Sequence, residues 1–248
     1  MTYCLAIKLD TGLVFCSDSR TNAGADQVST YSKMHRFSMF DDREIIILSA
    51  GNLATSQAVL STLRRDIEEG AAFNLGSARY LSEIADYIGR LSVETQAKYG
   101  AGGPGSGFNA SATFIVGGQI QEQKLRLYLV YPEGNHINAS KQHPFLQIGE
   151  TKYGKPLLER IIKPATEPET AMRCALVSMD STMRSNATVG PPIELLYYPG
   201  NHARQAAQYH LFDDADPYFV KLSQQWEEKI CQAFNELPRL EEVFQNSS

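Results

Sequence analysis

From its second residue the chain alternates loosely through TYCLAIKL, breaks at the turn Asp10-Thr11-Gly12 and resumes with LVFCSDSR, so residues 2–20 read as a β-hairpin. The polar run TNAGADQVSTYS reads as a connecting loop, KMHRFSMF as a third strand and DDRE as a tight turn. IIILSAG is then a continuous run of the kind found in a strand buried on both faces. Beyond Gly51 the apolar period lengthens. Leu53, Val59, Leu60, Leu63 and Ile67 form one helical stripe, and Leu81, Ile84, Tyr87, Ile88 and Leu91 form a second. GAGGPGSGFN carries no Lys-Ser or Lys-Thr and leads into a strand, so it reads as a flexible connection and not a phosphate loop.

Strand patterns return with ASATFIVGGQI, QKLRLYLVYPEG and PFLQIGE, followed by helical ones in YGKPLLERIIK and PETAMRCALVSMDSTMRSN. The second of these helices opens on Pro168 between Glu167 and Glu169, which suits a first turn. IELLYYP is expected to close the sheet, DPYFVKLSQQWEEKICQAFNEL to form a last amphipathic helix, and EEVFQNSS to be loose. Strands, two helices, strands, two helices, strand, helix is not the regular alternation of a doubly wound sheet. It predicts antiparallel sheets with paired helices outside, a layered α+β sandwich.

Composition narrows this picture without changing it. The chain has 248 residues, 43% of them apolar and 21% charged, enough for one domain with a self-supporting core. A net charge of −5, with scattered basic residues, argues against nucleic acid as a partner. Cys4, Cys16, Cys174 and Cys231 share no metal-binding or redox spacing, which fits a reducing compartment. Neither a basic leader followed by an apolar run nor an 18-residue apolar stretch is present, so a cytoplasmic protein without a membrane partner is expected.

The five histidines are scattered with no HExxH, so no metal or cofactor is expected. Gly105-Ser106-Gly107 is a weak match to a serine hydrolase elbow because no helix follows it. Thr2 is sharper. If Met1 is removed, Thr2 carries a hydroxyl and a free α-amine, so one residue supplies both nucleophile and base. Asp18, in Ser17-Asp18-Ser19-Arg20, ends the strand antiparallel to the first and is placed to face the terminus. Lys33 heads the third strand and reaches the same end of the sheet, where an ammonium lowers a hydroxyl's pKa and a carboxylate orients the ammonium. Gly51 in Ser49-Ala50-Gly51 marks a strand breaking into a helix, where a backbone N–H suits a developing oxyanion. Taken singly, Thr2 is an ordinary strand-start threonine, and Asp18 with Lys33 a sheet-edge ion pair.

Together, the N-terminal threonine strand, SDSR followed by TNAG, the strand-leading lysine and SAG opening a helix resemble the proteasome β-subunit family. The start MTYC, the run SDSRTNAG and the segment IGETKYGKP are most similar to its bacterial branch called Anbu. The resemblance implies a four-layer αββα sandwich over a single domain. Its parts would be catalytic strands and turn at 2–51, a helix pair at 52–99, a second strand set at 100–150, a helix pair at 154–186, and a last strand and helix at 193–240. It further implies N-terminal nucleophile hydrolase chemistry, with Thr2 as nucleophile, Asp18 and Lys33 as the charged pair and the Gly51 N–H as oxyanion donor. Asn22, Ser49 and Leu53 would meet substrate, in a modest and mostly apolar pocket. Where the family carries a serine after its mid-chain Ile-Gly, this chain has Glu150, whose carboxylate favours a charged amine. The family's supporting Asp-x-x-Ser falls near Asp180 and Ser185, and Arg20 joins these as a possible supporting residue.

Three functions follow from these residues. The first is a threonine peptidase acting on peptides or unfolded protein inside a ring or open helical homo-oligomer. The second is a non-catalytic assembly or binding protein, and the third an amidase for a small amide. An ATP-dependent unfoldase is the usual partner of relatives, but no docking site for one is legible in the chain.

Overall fold

A computed structural model of the protein describes residues 1–22, 28–100, 109–200 and 207–240. In chain order the elements are β1 (Tyr3–Lys8), β2 (Gly12–Asp18), β3 (Arg20–Asn22), β4 (Val28–Thr30), β5 (Met34–Phe37), β6 (Arg43–Gly51), α1 (Leu53–Glu68) and α2 (Leu81–Gly100). There follow β7 (Ala112–Ile120), β8 (Arg126–Val130), β9 (His136–Asn138), β10 (Phe145–Gly149), α3 (Lys155–Ile161), α4 (Pro168–Ser185), β11 (Ile193–Pro199), β12 (Gln208–Phe212) and α5 (Pro217–Asn235).

Two five-stranded antiparallel sheets stack face to face, one ordered β10-β1-β2-β11-β12 and the other β5-β6-β7-β8-β9. The alternation of β1 explains both of its faces. Cys4 and Ala6 point into the core between the sheets with Phe15, Ile46, Leu48, Ile115 and Leu196. Tyr3 points the other way and its hydroxyl bonds Ser178 Oγ on α4 at 2.7 Å, which places Leu5 and Ile7 on the same outer face. A second core, with Ile45, Ile47, Phe114 and Val116, lies between the other sheet and α1 and α2. The result is an αββα sandwich in which β1 and β2 are buried on both faces.

Four short strands differ from the expectation. The polar segment expected as a loop carries the ribbon β3–β4, pairing Arg20 with Thr30 and Asn22 with Val28. β9 adds a three-residue edge strand pairing Ile137 with Leu129. β12, and not β11, closes the first sheet; four of its five residues are exposed, so no apolar pattern announces it. The glycine-rich loop and the tail EEVFQNSS fall mostly or wholly outside the described residues.

The chain divides into units spanning residues 1–213 and 214–248. In the second, α5 starts at an Asp216 cap that accepts from the Tyr218 and Phe219 N–H groups at 2.9 and 3.0 Å. No helix among the described residues is long and apolar enough to cross a membrane.

Candidate active site

Pairing of Cys4 with Ser17 between β1 and β2 sets Tyr3 opposite Asp18 one step further on. There the Tyr3 N–H donates to Asp18 Oδ1 at 3.0 Å, and Lys33 Nζ donates to the same oxygen at 2.7 Å. The lysine ammonium is thereby held beside the Thr2–Tyr3 peptide. Lys33 also donates to the Arg20 carbonyl at 2.7 Å, and Gly190 N–H to Asp18 Oδ2 at 3.3 Å. The pair is secluded, with side chains 8% and 0% exposed. Burial pushes the Asp18 carboxyl above the usual range, and the Lys33 charge and these donors pull it back.

Arg20 acts one step away. Its guanidinium lies against Gly190 and donates to the Ala187 carbonyl at 2.9 Å, tying the loop after α4 to Asp18. Gly51 ends β6 at φ +103°, where a side chain would run into the Ser111 carbonyl oxygen. Asn52 then caps α1 by accepting from Thr55 N–H at 3.1 Å. Ser49 is tied to the lysine through its N–H, which donates to the Lys33 carbonyl at 3.0 Å.

Thr2, Lys33, Ser49, Gly51 and Leu53 all line one cavity of about 370 Å³. Asn22 is placed in β3, on the segment that leads from Asp18 toward this cleft. The expectation of a mostly apolar pocket is not met: His35, Gln57, Ser61 and Arg64 also line the cleft. Beyond Leu53, the α1 sequence shows only an apolar core stripe, whereas its polar residues Gln57, Ser61 and Arg64 face the opening. Burial, with Arg64 nearby, pulls the His35 imidazole down to about 4, so it is neutral at pH 7. Thr21 also lines the cleft, with its Oγ1 turned into the protein and without a hydrogen-bond partner among the described residues.

Glu150 is buried beside the terminus. Its N–H donates to the Thr2 carbonyl at 2.8 Å, and its carboxylate accepts from Asn186 Nδ2 at 3.0 Å with Lys152 Nζ 3.6 Å away. Asp180 pairs with Arg184 within α4 at 3.2 Å, and Ser185 is the exposed last residue of that helix. Asn186 was not legible as a site residue, although SNAT is an Asx-turn pattern. Its Oδ1 accepts from Thr188 N–H at 3.0 Å, which leaves Nδ2 for the carboxylate. At the chain start, burial and then the Lys33 charge lower the pKa of the Met1 α-amine, against Asp18 and Glu150 which raise it. The same groups would surround a Thr2 amine one residue further in. Among the described residues no cluster fit to hold a metal occurs, and all four cysteines are free.

A family model described as proteasome subunit matches residues 2–198, and the chain belongs to that family. Among solved structures it is similar to Anbu, the ancestral β-subunit, from Yersinia bercovieri, at 39% identity and TM-score 0.89 over 96% of this chain and 99% of that one. It is also similar to the helical assembly of the Anbu complex from Pseudomonas aeruginosa, at 38% identity and TM-score 0.88 over 96% and 98%. Anbu from Hyphomicrobium sp. strain MC1 follows at 36% and 0.86 over 96% and 99%. No curated protein matches the chain.

Proposed function

We propose that the protein is a threonine peptidase whose nucleophile is Thr2 after loss of Met1, working within a homo-oligomer on peptides or unfolded protein. The observation that carries this reading is the convergence of Tyr3 N–H and Lys33 Nζ on buried Asp18 Oδ1, beside the cleft that Thr2 and Lys33 line. Thr2 Oγ would attack the scissile carbonyl while the Thr2 amine takes its proton. Lys33 would favour the alkoxide electrostatically, and the Gly51 N–H would meet the oxyanion. The amine would then give its proton to the leaving nitrogen, and water would cleave the Thr2 ester and regenerate the hydroxyl. Assembly is supported by the similarity to the helical Anbu complex from Pseudomonas aeruginosa.

Mass spectrometry of the intact protein after treatment with a β-lactone or epoxyketone tests the reading. The expected product is an adduct on Thr2 of a Met1-free chain, lost in Thr2→Ala. Absence of any adduct on a processed chain would sink it.

Glu150 favours a second reading, a non-catalytic assembly protein, because its carboxylate favours the charged amine. The two readings part in a pH profile. In a peptidase, Glu150→Gln removes an influence that raises the amine pKa, so the acidic limb of kcat/KM moves to lower pH. Turnover at pH 6 then rises relative to pH 8, and Glu150→Gln keeps an oxygen able to accept from Asn186. An unmoved limb would remove Glu150 from the chemistry.

A further inference from the structure

We infer that the cleft selects an acidic side chain, glutamate above all, in the residue before the scissile bond, with Arg64 as the specificity-determining residue. The inference rests on the peptidase reading for its chemistry but not for its binding. Leu53, Gln57, Leu60, Ser61 and Arg64 stand at i, i+4, i+7, i+8 and i+11 on one face of α1 and form one wall of the cleft. Opposite, Lys33, His35 and Phe37 alternate onto one side of the chain at steps of about 7 Å. Arg64 lies over the Phe37 ring, its guanidinium carbon 5.8 Å from the centroid, and close enough to His35 to depress its protonation.

Charge bookkeeping along the cleft singles Arg64 out. Lys33 is neutralised by Asp18 and His35 is uncharged, while Arg64 makes no ion pair among the described residues. The described lining contains no carboxylate at all. A lysine or arginine side chain entering here would meet only like charge, and a leucine would cover Ser49, Gln57 and Ser61 without bonding them. A carboxylate is the group that fits the site. Arg64 lies by His35 and Phe37, further along the strand than Lys33, so the longer glutamate is expected to reach it better than aspartate.

N-acetylated tripeptides ending in Glu, Gln, Asp, Leu or Lys, all sharing the same terminal carboxylate, test this by ligand-observed NMR on the full-length assembled protein. Because Arg64 is exposed, the glutamate peptide is expected to bind only about fivefold more tightly than its glutamine isostere at low salt. The margin should shrink in high salt, vanish in Arg64→Gln, survive in part in Arg64→Lys and turn toward the lysine peptide in Arg64→Glu. Equal binding of Glu and Gln peptides, an undiminished preference in Arg64→Gln, or no binding by any of the five would each overturn the inference. A clear glutamate preference on a processed chain whose Thr2 forms no adduct would support this inference while the peptidase reading fails alone.

Discussion

Lys33→Met should lower peptide turnover by roughly 10²–10³-fold, the scale seen when one preorganised charge-stabilising donor is lost. The same change should cost about 3–5 kcal/mol of stability, because it strands Asp18 in a fully buried position without its countercharge. The stability loss has a definite pH dependence. Burial already raises the Asp18 carboxyl above its reference value of 3.8, and removing Lys33 raises it further. For an acid whose folded pKa is raised, stability is fully present below the unfolded value and is lost as pH rises through the folded one. The gap between wild type and Lys33→Met should therefore be wider at pH 7 than at pH 4 in urea denaturation. Adding Asp18→Asn removes the stranded charge and should recover part of the stability but none of the turnover. A double variant as inactive yet no more stable than Lys33→Met would mean that the carboxylate is not what the lysine offsets.

Gly149→Ala is expected to be nearly as damaging, for a reason of space. Gly149 sits at φ +81°, and a methyl there would land on the Thr2 carbonyl oxygen, a backbone atom that cannot turn aside. That oxygen accepts the Glu150 N–H at 2.8 Å, so the substitution also breaks the tie that holds Thr2 at the end of β10. The conformational strain alone is about 1–2 kcal/mol. A shift of Thr2 by about 1 Å would cost roughly 10²-fold in turnover. Gly70→Ala is the control, since Gly70 has φ +63° and nothing within 4 Å. It should lose about 1 kcal/mol by strain and leave turnover intact. Equal loss of activity in both variants would show that strain, not displacement of Thr2, is responsible.

The parts of the site that the sequence made visible lie at strand ends joined by local register. Thr2 heads β1, Asp18 ends its hairpin partner β2, Lys33 precedes β5 and Gly51 ends β6, so period and turns bring them together almost unaided. What stayed hidden depends on how layers dock. Arg64 reads as one more charge on a helix surface until α1 is set against β5, and His35 as one more strand residue. Asn186 becomes a partner of Glu150 only because α4 ends beside β10. β12 was illegible for a different reason: it buries only Phe212, and hydrophobic alternation is the signal of burial. β6, whose IIILSAG run is buried on both faces up to Ala50, carried the clearest signal.

The anchoring of Thr2 also bears on when its amine can be released. Met1 is 62% exposed, but Tyr3 is fully buried, with its N–H on Asp18 and the Thr2 carbonyl on the Glu150 N–H. An exopeptidase must draw both sides of the Met1–Thr2 bond into its own extended grip, and here the downstream side is already woven into a sheet. If Thr2 is to be the nucleophile, excision of Met1 is then a race against folding. A chain trimmed while still unfolded reaches the sandwich with its amine free. One that folds first must wait for the start of β1 to fray, at a rate set by local opening and not by the trimming enzyme.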